Sequence, residues 1–171
     1  MLINTLDELE AVREQCRRFV TSRAAISAGA AAVPLPGLDI GTDAAILVAM
    51  IPEINRRFGL SHEQLDTMDP QAKRVILIAV TSIGSELIGR FITREIILKV
   101  LTKMGLTVSS RMVTRFVPVL GSVLSASVSF AAMKALGNAH VEDCYRVARQ
   151  ALESRLALED LTVIEGISSR E

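Results

Sequence analysis

The chain reads as a succession of helical stripes. Leu2, Leu6, Leu9, Val12, Cys16, Phe19 and Val20 recur at three- and four-residue spacing behind Thr5, and Glu8 three residues after Thr5 completes a capping box. The pattern predicts one long helix from Thr5 to about Val33, amphipathic in its first half and apolar all round from Ala24, where Ala24, Ala28 and Ala32 form one row and Ala25 and Gly29 the next. A helix apolar on every side is expected to be buried. Pro34, Pro36 and Gly37 then forbid its continuation, because proline fixes φ, removes a donor and pushes the preceding residue out of the α region. Asp39 and Asp43 open the second helix, where carboxylates suit the positive end of the dipole and Asp39 can cap free N–H groups. The expected centre of the fold is therefore an apolar helical hairpin, Ala24 to Ile51, turned at a Pro-Leu-Pro-Gly corner.

The second helix is expected to run to Phe58, kinked near Pro52, with Arg56 and Arg57 in its last turn and Gly59 as its stop. Ser61 with Gln64 opens a short helix, and Asp69 with Pro70 opens the next as N-cap and first residue. That helix is expected to continue to Met104, bent near Gly84 and Gly89, with Glu86, Arg90 and Arg94 as a solvated polar stripe. A short amphipathic piece from Ser109 to Val117 leads to a helix restarting at Pro118, on which Gly121, Ser125 and Ser129 form a small-residue row that a neighbour can approach closely. Gly137 is expected to break that helix and Asn138 to cap a last one, buried through Val141, Cys144, Tyr145, Ala148, Ala151 and Leu152. No run alternates like a strand. The fold class is all-α: a compact bundle of about six to seven helices around the central hairpin, one domain over residues 1–158, with 159–171 a loosely held tail.

Composition sharpens this. Half the chain is hydrophobic but only 4% is aromatic, so the core is filled by Ala, Val, Ile, Leu and Met. The 19 basic residues balance 19 acidic ones, which leaves no general field to attract nucleic acid, so no nucleic-acid partner is expected. Cys16 and Cys144 stand alone, as in a reduced cytoplasmic protein, and MLINTLDELE lacks the basic and apolar regions of a secretory leader. The longest uncharged stretch, Phe116 to Met133, would span about 27 Å as a helix against a hydrocarbon core of about 30 Å. Pro118, Gly121 and four serines interrupt it, which favours a buried helix of a soluble bundle over a membrane span.

No motif supports an enzyme. GSELIGRF, Gly84 to Phe91, echoes a phosphate loop, but Arg90 and Phe91 replace the Lys and the hydroxyl residue and no strand precedes it. His62 and His140 lack metal or triad partners and are expected at the surface; Asp39 and Asp43 serve the helix start rather than a cation. The expectation is no catalytic residue, no metal and no cofactor.

Two blocks carry a family resemblance. AAAVPLPGLDIGTDAAILVAMIPEINRRFGLSHEQL, with Pro34, Pro36, Gly37, Asp43, Phe58, Gly59, Leu60 and Leu65, precedes FVPVLGSVLSASVSFAAMKALGNAHVEDCYRVARQAL, with Pro118, Gly121, Ser129, Phe130, Leu136 and Ala148. In this order and spacing they resemble the helical C-terminal domain of the immunity-related (interferon-inducible) GTPases. They are also similar to a bacterial family of unknown function in which an apolar helical domain accompanies GTPases at the inner membrane. The resemblance implies a helical bundle, peripheral contact with the inner face of a membrane, and assembly under the control of a GTPase; nucleotide hydrolysis does not carry over, because the phosphate loop is missing. The expected function is a non-enzymatic interaction module that binds a protein partner, either a separate GTPase or a second copy of itself as a homo-oligomer, or a membrane lipid surface. The alternative is a membrane-inserting or pore-forming protein that exposes its hairpin to lipid.

Overall fold

A computed structural model describes residues 3–31, 38–85, 87–89, 93, 95–97, 99 and 118–168; at 30–31, 38–44, 118–126, 128–129 and 159–168 it describes the backbone alone. Among these residues there are five helices and no strand: α1 (Leu6–Ala31), α2 (Leu38–Arg57), α3 (His62–Asp66), α4 (Pro70–Ile83) and α5 (Pro118–Ser168), with one further helical turn at 95–97.

Local chemistry sets most of the ends. The Thr5 hydroxyl accepts from the Glu8 N–H at 3.2 Å, and the Glu8 carboxylate reaches back to the Asn4 N–H at 2.8 Å, one residue earlier than in the usual capping box. α2 closes with Gly59 at φ 75°, its N–H on the Arg56 carbonyl and the Leu60 N–H on the Asn55 carbonyl, the paired bonds of a Schellman end. Ser61 and Gln64 form the expected capping box of α3, and Asp69 accepts from Gln71 and Ala72 ahead of Pro70.

Two long-range expectations change. The helix from Pro70 does not bend at Gly84; it stops there. Gly84 takes the left-handed conformation at φ 74°, and the Ser85 N–H bonds back to the Val80 carbonyl at 3.3 Å, so the same motif that ends α2 ends α4. Gly137 and Asn138, conversely, break nothing: α5 runs unbroken for 51 residues. Gly137 is buried inside it, where a Cβ would stand 2.6 Å from Val20 Cγ1 and 3.0 Å from Met50 Cε. The glycine lets α5 close on α1 and α2 at one point; helix continuity survives because intrinsic propensity costs only about 1 kcal/mol there.

The core sits where α1, α2 and α5 meet. Leu9, Cys16, Val20 and Ala24 of α1 face Leu47, Met50, Ile51 and Ile54 of α2 and Met133, Leu136, Val141, Cys144 and Val147 of α5. α1 is one-sided as far as Gly29: Ala24 and Ser27 are buried, but Ala25 and Gly29 are exposed and Ile26 is 52% exposed, so the apolar second half of α1 is not buried all round.

Candidate functional site

The residues singled out by the sequence fall into two groups. Pro34, Pro36 and Gly37 lie outside the described residues; α1 ends at Ala31 and α2 begins at Leu38 on either side of them. Asp39 and Asp43 occupy the first two turns of α2, and Gly121, Ser125 and Ser129 occupy successive turns of α5, with their side chains outside the description. The stripe Glu86, Arg90 and Arg94 also lies outside it. The side-chain groups that the structure does describe are formed by other residues.

At the helix junction lies a buried polar group. Asn55 of α2 is 2% exposed and His140 of α5 is 2% exposed. The Asn55 amide donates to the Leu87 carbonyl at 2.9 Å, which turns its Oδ1 toward α5. His140 Nε2 lies 2.9 Å from that oxygen and the Cys144 thiol donates to it at 3.4 Å. An amide oxygen only accepts, so Nε2 carries the imidazole proton and Nδ1 is bare; Nδ1 has no partner among the described residues. Burial pulls the His140 pKa down to about 4, which keeps it neutral, and burial pushes the Cys16 thiol up to about 11 and the Cys144 thiol well above its ordinary value. Burial keeps both thiols protonated, and the group of Asn55, His140 and Cys144 pins α2, α5 and the segment at Leu87 together. His140 thus lies in the core, not at the surface: its i, i+4 spacing from Cys144 on the buried stripe was the available signal.

Above this core an ionic link joins α1 to α5. Glu142 receives Arg13 through two bonds of 2.9 and 2.7 Å and Arg17 through one of 2.9 Å, while the Arg13 guanidinium lies 4.6 Å from the Tyr145 ring centroid. Partial burial raises the Glu142 pKa, but the bonds to Arg13 and the charge of Arg17 outweigh it and hold the carboxyl below its ordinary range.

On another side, an open groove of about 270 Å³ lies between the end of α2, the start of α4 and the C-terminal half of α5. Ile3, Phe58, Met68, Val75, Leu152 and Leu158 make its walls. Arg155 crosses its edge to the Ile3 carbonyl and Asn4 Oδ1 at 3.4 and 3.3 Å. Leu158 is 55% exposed there, and α4 presents Leu77 and Ile78 to solvent at 47% and 59%. Chemically this is an open, largely apolar surface. Among the described residues no cluster of three or more His, Cys, Asp or Glu is placed to hold a metal, and no helix is long and apolar enough to cross a membrane.

No family model matches the chain, and no solved structure matches it. Over 155 residues, 87% of its length, the chain is 26% identical to the interferon-inducible GTPase 5 of Rattus norvegicus. It spans about a third (33%) of the length of that relative. The chain is thus an all-α protein with a distant similarity to an interferon-inducible GTPase.

Proposed function

We propose that the chain is a non-enzymatic helical interaction module, equivalent to the helical C-terminal part of immunity-related GTPases and akin to the helical domains that accompany bacterial GTPases at the inner membrane. It binds a protein partner, a separate GTPase or a second copy of itself, or the surface of a membrane. The observation that carries this reading is the open apolar groove beside Leu158, with Leu77 and Ile78 exposed on α4: large apolar side chains left in water on a folded scaffold mark a contact surface. The similarity to part of a GTPase supports the choice of partner class.

Co-flotation of the purified protein with liposomes, read together with dye leakage, tests it. Flotation without leakage supports a module at a membrane surface, and neither effect supports a module whose partner is protein. Leakage would overturn the reading in favour of a membrane-inserting protein.

A further inference from the structure

Two stretches of opposite charge flank the open groove. On α4, Arg74, Leu77, Ile78 and Thr81 recur at three- and four-residue spacing, and all four are exposed. Arg74 has no hydrogen bond or ion pair among the described residues, whereas Lys73 is held by Asp66 at 2.9 Å. No acidic residue occurs from Pro70 to Ile83, so this face is apolar and basic. On the other side, α5 continues past Leu158 as helix over residues 159–168, about 15 Å further. That stretch carries Glu159, Asp160 and Glu165, four large apolar residues and no basic one. The groove links the two: Val75, the helical neighbour of Ile78, and Leu158, where the acidic stretch begins, both line it.

The chain cannot bring these complementary stretches together by itself. Ile76 and Ala79 are the buried residues of α4, on the side opposite Arg74 and Ile78. Because α5 is one continuous helix, its acidic end cannot fold back over the outer face of its own α4. It can reach that face only on another molecule. We propose that two copies of the chain associate here, the acidic apolar end of α5 in one copy lying on the basic apolar face of α4 in the other. A two-fold arrangement makes both contacts at once, since each copy presents both halves. Opposite charge sets the register, and covering Leu77 and Ile78 supplies the hydrophobic gain. The inference rests on the reading of the groove and α4 as a contact surface and commits its occupant to a second copy.

Sedimentation equilibrium of the full chain over a micromolar concentration series tests it. The expected result is a monomer–dimer equilibrium that weakens with added salt. Arg74→Glu should weaken it about tenfold, and Asp160→Lys combined with Glu165→Lys should do the same, because like charges then oppose one another. All three changes in one chain should recover the dimer to within about threefold, since opposite charges face each other again. Arg18→Glu, at an exposed arginine of α1, should change it less than about twofold. Urea midpoints show that each variant is folded. A chain that stays monomeric, or charge reversals that do not recover when combined, would overturn the proposal. A monomer that still floats with liposomes overturns the second copy alone and gives the contact surface to lipid.

Discussion

The junction of α1, α2 and α5 and the surface around α4 are built from the same apolar residue types and end up as opposites. At the junction, Val20, Met50, Asn55, His140 and Cys144 are buried, the polar atoms of Asn55 are satisfied, and even a missing side chain, at Gly137, is filled by its neighbours. Around α4, Leu77 and Ile78 stand in solvent, and a groove beside Leu158 stays open. The difference teaches where the fold is specified: the junction is closely packed down to Gly137, whereas the α4 surface leaves apolar area uncovered.

The sharpest way to break the closed side is volume at Gly137. Gly137→Leu drives a branched side chain into Val20 and Met50, and should cost about 3 kcal/mol by overpacking, read as a fall in the urea midpoint. Acid should do similar damage through His140. Its folded pKa of about 4 lies below the ordinary 6.5, so the stabilisation from keeping it neutral is complete above pH 6.5 and is lost as the pH falls through that window toward 4. At about 1.4 kcal/mol per unit the full effect is roughly 3 kcal/mol. Urea midpoints measured from pH 7 to pH 4 should show this slope, and His140→Gln, which can still donate to Asn55 but does not titrate, should flatten it.

Effects shrink toward the surface. Glu142→Gln leaves Arg13 and Arg17 without their shared charge, yet the group is partly solvated, so about 1 kcal/mol is expected, less in high salt. Replacing Leu77 and Ile78 by Ser should change stability by less than about 1 kcal/mol, because about half of each side chain already lies in solvent. If the double change instead unfolds the protein, the contrast between the two regions collapses; if it leaves stability alone and abolishes partner or membrane binding, the contrast gains its functional meaning.

Helix identity and most helix ends were legible because their causes are local. Thr5, Ser61 with Gln64, Asp69 with Pro70, and Gly59 each act within three or four residues, so the chain by itself determined an all-α protein and where several of its helices start or stop. Tertiary structure decided the rest. Gly84 and Gly137 look alike in sequence, a glycine in an apolar helical run; the first turned left-handed and ended its helix, while the second stayed helical because Val20 and Met50 pack into its empty place. His140 looked like a surface residue because its partner, Asn55, lies 85 positions away. Only packing α2 against α5 puts an amide oxygen beside that imidazole, and only the desolvation that comes with packing keeps it neutral.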